Sequence, residues 1–487
     1  MNATHPQNAV NPPSRPRVVV VGAGFAGLNA AQALAEMAVD VTVVDRRNHH
    51  TFQPLLYQVA VGVLSPADIA QPIRTVFRGK ENIEVLMDEV IGIDAAHHTV
   101  QLRSSANLEY DYLILATGST HSYFGNDGWA KLAPGLKTLE DAREMRRRIM
   151  LAYELAEREA VETGAHPPLN FVVVGGGPTG VELAGAIRDI ASLYMGGDYR
   201  HIDTKATRVL LVEGGPHILP SYPADLQAKA VEQLKQLGVE VMTNKIVTDL
   251  QPGYVVIGKE ASQERIESLV TLWAAGVQAS PLGRMLGAPV NKKGSVIVDR
   301  FLNPPGMPNV FVCGDLADVT ENGRQIPGVA QPAMQMGTQA AHMIQADLDG
   351  RPRKPFHYFD KGDMATIGRN RAVADVKWPF KAHWGGFLAW ASWLVVHIYF
   401  LIGFRNRILV LIQWGWAYLA QGHGARLIMG NQSLPGWDRL VPERPMASDR
   451  PLDLASPAVS DPVSESPSET AAQIGNPAGA AQEKVTV

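Results

Sequence analysis

The sequence predicts an α/β protein with two Rossmann-like dinucleotide-binding domains and a C-terminal helical, membrane-associated region. Three observations predict it. "VVVVGAGFAGLNAAQAL" from Val18 to Leu34 reads as an apolar strand, a G-x-G-x-x-G turn and a helix. "FVVVGGGPTGVELAGAI" from Phe171 to Ile187 repeats that pattern. Near the C-terminus, six of the nine tryptophans lie between Trp378 and Trp416, in a stretch from Val376 to Trp437 that has no Asp or Glu.

The whole chain sets bounds. Its 487 residues leave room for two or three domains. A formal net charge of −4 gives no pull toward nucleic acid, and none is expected as a partner. The single cysteine, Cys313, excludes a disulfide framework, a C-x-x-C redox pair and a cysteine-ligated cluster. It reads as a small buried strand residue. The fourteen histidines show no ligand spacing, so no metal is expected. His49–His50 and His97–His98 read as surface pairs. The N-terminal "MNATHPQNAVNPPSRPR" has no apolar core and reads as neither a secretory signal nor a mitochondrial presequence. From about Met446 the chain is rich in Ala, Ser and Pro and reads as a disordered tail.

In the first turn, Gly22 allows a sharp exit from the strand, Gly24 allows close approach of a pyrophosphate, and Gly27 allows helix and strand to pack. The helix N-terminus then offers free N–H groups and a positive dipole end. "VDVTVVD" follows as a buried strand ending in Asp45, an acceptor for ribose hydroxyls. The second turn is Gly175, Gly177 and Gly180. "LYMGGDYRHIDTKA" reads as a helix extension and loop before the strand "TRVLLVE", which ends in Glu213. Two glycines follow Glu213, with no arginine to meet a 2′-phosphate, so NADH is expected over NADPH. Two such sites make chemical sense if one holds FAD and the other a nicotinamide that gives it hydride. A duplication with one degenerate site is the plainer alternative.

Further stretches widen the pattern. "YDYLILATGS" places Ala116, Thr117 and Gly118 after a strand, and "NVFVCGDLAD" places Gly314 and Asp315 after another. With the two turns, this resembles the two-dinucleotide-binding-domain flavoproteins. That resemblance implies FAD contacts at the A-T-G turn and at Asp315. It also implies a discontinuous order: a disordered 1–16, an FAD-binding part at 17–164, an NADH-binding domain at 165–290 and a second FAD part at 291–350. A membrane-association region at 351–445 and the tail at 446–487 complete it.

Three stretches are more specific: "HHTFQPLLYQVAVGVLSPADIAQPIR", "GVAQPAMQMGTQAA" and "YFDKGDMATIGRNRAV". They resemble the type II NADH:quinone oxidoreductases. The resemblance implies that Ala330, Gln331 and Gln335 belong to a flavin–quinone motif, with Ala330 on the FAD side and the two glutamines toward a membrane quinone of the ubiquinone kind. It places Glu182 against the nicotinamide and flavin rings, and Lys361 near flavin and quinone. Independently of family, Pro332 suits the first turn of a helix from about Gln331. The plainer readings are solvent-facing glutamines, a first-turn acid at Glu182 and a solvated loop lysine.

Gly385 to Phe404 carries no Asp, Glu, Lys or Arg and reaches ~30 Å as one helix, the length of a membrane span. The resemblance implies instead a peripheral, monotopic region on the cytoplasmic face of a bacterial inner membrane. Clustered tryptophans and the uncompensated Lys377, Lys381, Arg405, Arg407 and Arg426 suit an anionic lipid surface. The expected activity is a non-proton-pumping, FAD-dependent NADH:quinone oxidoreductase of a respiratory chain. A soluble NADH-dependent reductase of a ferredoxin-like protein, a non-catalytic nucleotide sensor and a homodimeric assembly stay open.

Overall fold

The computed structural model describes residues 15–259, 262–379, 381–420 and 427–429. Nearly all of the 1–16 segment, the end of the 351–445 region and the 446–487 tail lie outside them.

Arg17–Val21 (β1) is the centre of a five-stranded parallel sheet. Its valines are buried on both faces, as a strand sandwiched between helices requires. Asp40–Asp45 (β2) and Ile83–Met87 (β3) lie to one side. Tyr112–Leu115 (β4) lies to the other. The A-T-G turn leaves the end of β4. From there Leu139–Thr163 (α3) crosses to the second sheet, started by the Thr138–Asp141 capping box and stopped at Gly164, where φ is +74°.

The second sheet has four parallel strands. Asn170–Val174 (β5) and Arg208–Val212 (β6) are its middle pair. Val239–Met242 (β7) and Val270–Trp273 (β8) are the flanks. The long connection before β6 continues the helix as a π turn over Ile190–Tyr194 and then loops. Val310–Val312 (β9), far along the chain, pairs with β4 in the first sheet.

Phe25–Leu34 (α1) follows the first glycine turn, Leu56–Ala60 (α2) lies against α3, and Pro178–Asp189 (α4) follows the second turn. Ala330–Leu348 (α5) packs on α1 so closely that a Cβ on Gly337 would run into the Ala26 carbonyl.

The C-terminal region is not purely helical. It opens with an antiparallel sheet of Gly362–Gly368 (β10), Arg371–Val376 (β11) and Ala382–Gly385 (β12). Asn370, at φ +64°, makes the tight β10–β11 turn. Only then come Phe387–Phe400 (α6) and Phe404–Ala420 (α7).

The single span that was the alternative reading at 385–404 does not form. Gly385 ends a strand, Gly386 turns at φ +79°, and the helix stops before Gly403 at φ +87°. The 14 residues of α6 reach only ~21 Å. Among the described residues no helix is long and apolar enough to cross a membrane.

β10 pairs with β11 on one side only, and α4 covers its other edge. Gly185 of α4 sits where a Cβ would collide with the Ile367 carbonyl. Gly185→Val should therefore prise α4 from β10. Overpacking of this kind costs about 1–3 kcal/mol. Thermal unfolding of the FAD-loaded protein should show a lowered midpoint, and an unchanged midpoint would mean the approach relaxes freely.

Candidate active site

The two glycine turns are built alike. Gly22 (φ +94°) and Gly175 (φ +110°) turn where a Cβ would lie 2.6 Å from the Ala116 carbonyl and 2.7 Å from Ala274. Gly27 and Gly180 each press on the carbonyl of the first glycine. Gly24 and Gly177 are the N-cap residues of α1 and α4, and no side chain caps either helix. A Cβ on either would meet nothing within 4 Å. Uncapped N–H groups over an open cradle fit a dinucleotide pyrophosphate.

The strand-end acids also match. Asp45 accepts from the amides of Ala23 (2.7 Å) and Arg47 (2.8 Å). Glu213 accepts from those of Gly176 and Gly215, both at 2.6 Å. Each acid therefore locks its own glycine turn while keeping lone pairs for a ribose.

At the A-T-G turn, the Thr117 hydroxyl is buried with no hydrogen-bond partner among the described residues. Gly118 turns at φ +65°. Gly314 (φ +70°) nestles against Ala26 of α1 and Ala333 of α5, so Asp315 lies beside the starts of both helices. Asp315 accepts from Ser119 Oγ at 2.6 Å, and Lys137 Nζ lies 3.1 Å from that hydroxyl and 3.7 Å from the carboxylate. Sequence reasoning missed the contacts of Ser119, which ends the quoted A-T-G stretch, and of Lys137, which lies in no spaced motif. An orphaned hydroxyl and a pre-paired acid beside two helix starts fit the polar part of a flavin dinucleotide.

β10 gathers the remaining candidates. Gln331, the residue after Ala330 at the start of α5, donates from Nε2 to the Gly362 carbonyl at 2.8 Å. Its Oε1 is buried and has no partner among the described residues. Gln335 clasps Phe359 both ways, donating to its carbonyl (3.0 Å) and accepting from its amide (2.9 Å). The glutamines are thus not solvent-facing: they clamp the segment that leads into β10. Lys361 lies within that clamp, exposed, with Nζ 5.7 Å over the Phe400 ring.

At the other end of β10, the Thr366 amide donates to Glu182 Oε1 at 3.4 Å. Glu182 is the fifth residue of α4, past the first turn, so the helix dipole alone does not account for it. Burial pushes its carboxyl up to about 8, against the Thr366 amide, which favours the ionised form. The Arg369 amide donates to Asp189 at 2.7 Å, and burial pushes that carboxyl up to about 6.

Three lesser expectations also meet the structure. Cys313 is buried, and burial raises its thiol. His97 and His98 are exposed. His50 is not a surface residue: it is 1% exposed, donates from Nδ1 to the Ala23 carbonyl at 2.9 Å, and lies edge-on to Phe25. It buttresses the first turn, a contact that only the folded chain reveals.

Comparison with known proteins agrees with this geometry. A family model described as pyridine nucleotide-disulphide oxidoreductase matches residues 16–337, and one described as the NDH2 C-terminal domain matches 361–421. The chain is 44% identical over 427 residues to a type II NADH:quinone oxidoreductase, NdhA, of Mycobacterium tuberculosis, covering 85% of this chain and 89% of that protein. It is 30% identical over 431 residues to an internal alternative NAD(P)H-ubiquinone oxidoreductase A1 of Arabidopsis thaliana, covering 82% and 83%. The solved structure of NDH2 from Plasmodium falciparum in complex with NADH matches with a TM-score of 0.77 at 20% identity, covering 85% of this chain and all of that one. At that identity the likeness is one of fold.

The raised carboxyl of Glu182 has a consequence for stability. Between pH about 4.5 and about 8 the folded chain holds a proton there that the unfolded chain has released. Stability contributed at this position therefore falls as pH rises through that window. Glu182→Gln removes the dependence, so the variant should gain thermal stability over the native sequence, and gain more at pH 8 than at pH 5. Calorimetry at both values checks it; an equal difference at the two pH values rejects a protonated carboxyl.

Proposed function

Because the chain belongs to the type II NADH:quinone oxidoreductases, we propose a role for each part of its site in the oxidation of NADH by a membrane quinone. The chain is an FAD-dependent NADH:quinone oxidoreductase. FAD, when bound, supplies the two-electron chemistry that accepts hydride from NADH and returns electrons to the quinone.

The first glycine turn, Gly22, Gly24 and Gly27, holds the FAD pyrophosphate, with Asp45 on the adenosine ribose. Ala116, Thr117, Gly118, Gly314, Asp315 and Ala330 line the remainder, and the segments 17–164 and 291–350 form that domain. Gly175, Gly177 and Gly180 hold the NADH pyrophosphate within 165–290, with Glu213 on the ribose. Glu182 orients the nicotinamide ring or moves a proton beside it. Gln331 has one amide N–H to spare for a quinone carbonyl, and its unpartnered Oε1 suits a quinol hydroxyl. Gln335 holds the neighbouring backbone, and Lys361 stabilises negative charge on the ring or the quinol oxygen.

The single observation that carries this reading is β10. One strand is held by Gln331 at Gly362 and touches Glu182 at Thr366. Quinone-side and nicotinamide-side groups thus share one rigid element, as two half-reactions at one flavin require. A reductase of a ferredoxin-like protein and a nucleotide sensor are not favoured beside the type II relatives.

We take the chain to be membrane-associated and its attachment to be monotopic, on the cytoplasmic face of a bacterial inner membrane, with no proton pumped. α6 and α7 support this. Leu388, Val395, Tyr399, Ile412 and Trp416 are all more than 60% exposed, and Arg407 lies 5.9 Å over the Tyr399 ring.

Steady-state NADH oxidation by a soluble quinone analogue on FAD-loaded protein tests the whole reading, which fails if flavin is reduced but no quinone is turned over. Gln331→Leu should slow quinone-dependent reoxidation by roughly two- to tenfold, the loss of one neutral hydrogen bond, and slow flavin reduction less. Equal slowing of both would make Gln331 a clamp alone. Glu213→Gln should weaken NADH binding, because an amide cannot accept both turn N–H groups. It should also narrow the NADH-over-NADPH preference by roughly ten- to a hundredfold. Equal specificity constants for the two cofactors in the unaltered protein would reject Glu213 as the discriminating residue.

A further inference from the structure

A second polar path reaches Glu182 from the C-terminal helix. Trp414 of α7 donates from its indole nitrogen to Gln58 Oε1 at 2.7 Å. Gln58 Nε2 donates to the Tyr57 hydroxyl at 3.0 Å. That hydroxyl lies 3.0 Å from Thr366 Oγ1, and the Thr366 amide is the one that faces Glu182. Tyr57, Gln58 and Thr366 are all buried.

The outer part of this path has a fixed direction. An indole can only donate, so the Gln58 oxygen must face Trp414 and its NH2 must face Tyr57. Tyr57 then accepts from Gln58, and its hydroxyl shares a hydrogen bond with that of Thr366 in which either can donate. Burial, with the nearby Glu182 charge, keeps the Tyr57 phenol protonated.

Other charged groups near Glu182 do not duplicate this input. From the segment before the Ala224 helix, Tyr222 senses Glu182 together with Asp363 and Asp375 of β10 and β11. On α4 itself, Asp189 also bears on Tyr57. Arg188, Arg369 and Arg371 attend Asp189.

We propose that Tyr57, held by Trp414 and Gln58, is a positioning residue that acts through Thr366 to ease ionisation of Glu182. It fixes the threonine whose amide meets the carboxylate, and it supplies a polar group in a site otherwise made unfavourable by burial. The seating of α7 on the body of the protein is thereby read at the nicotinamide side. This rests on the reading of Glu182 as the group beside the nicotinamide.

The test is the pH dependence of flavin reduction by NADH, followed anaerobically by rapid mixing on the FAD-loaded, full-length protein. Glu182→Gln should remove a step from that profile. Tyr57→Phe keeps the ring and should move the step upward by about half a unit to one unit. Thr366→Val should do the same, Thr366→Ser should leave the step in place, and Trp414→Phe should move it in the same direction by less. Combined with Glu182→Gln, Tyr57→Phe should have no further effect on the profile. If Glu182→Gln removes the step while Tyr57→Phe and Thr366→Val titrate like the unaltered protein, the relay is overturned and Glu182 keeps its role. If Glu182→Gln leaves the step, the reading of Glu182 fails and the relay falls with it. A lowered melting temperature in Tyr57→Phe without a moved step marks a merely structural hydroxyl and also overturns the proposal.

Discussion

A helix laid along the edge of a strand is the contact on which the site depends. β10 has a strand partner on one side only, and an uncovered edge leaves backbone donors in need of acceptors. α4 meets that need with one face. Glu182 accepts from Thr366, Gly185 lets the backbones touch, and Asp189 accepts from Arg369. The spacings agree. Seven helical residues rise about 10 Å, and the three residues from Thr366 to Arg369 extend about 10 Å. The helix that opens the second glycine turn is therefore fixed against the strand that Gln331 and Gln335 clamp. Two carboxylates are buried as a result, and that burial is what raises their proton affinity. The same arrangement that secures the joint gives Glu182 a proton to hold near neutral pH.

Much of the parallel-sheet architecture was legible from the sequence. A strand buried on both faces must be continuously apolar, and "VVVV" and "FVVV" leave little choice. A turn that presses a helix start against its strand admits only glycine at fixed offsets, so the two turns announced themselves and their partner acids. The C-terminal sheet did not. β10 and β11 mix polar and small residues, because part of their pairing is with helix side chains and not with a uniform core. The alternative of a single span at 385–404 failed for a related reason. A count of apolar residues cannot see a backbone break, although Gly386 and Gly403 stand at the two breaks and were its only local sign.

The site itself was legible by type and not by contact. Glu182, Gln331 and Lys361 carry a family pattern, yet nothing local says that Gln331 spends a donor on Gly362. Lys137 and Ser119 reach Asp315 across more than 170 residues, and Tyr57 reaches Thr366 across more than 300. Such pairs leave no spacing to read. His50 went wrong in the same way, because its partner is a backbone carbonyl of the glycine turn.

The C-terminal helices show how a surface can be apolar without being a core. In α7, Val410 and Trp414 are one turn apart and face inward, Trp414 through a hydrogen bond to Gln58. Ile408, Ile412 and Trp416 share the same spacing and are exposed. A helix with apolar stripes on both sides satisfies only one of them by folding. In water the outer stripe has no counterpart, and on the proposed attachment a bilayer surface would supply one, with Arg405 and Arg407 toward its headgroups. The inner stripe ties that helix to Tyr57 and β10, so whatever holds α7 from outside also steadies that strand.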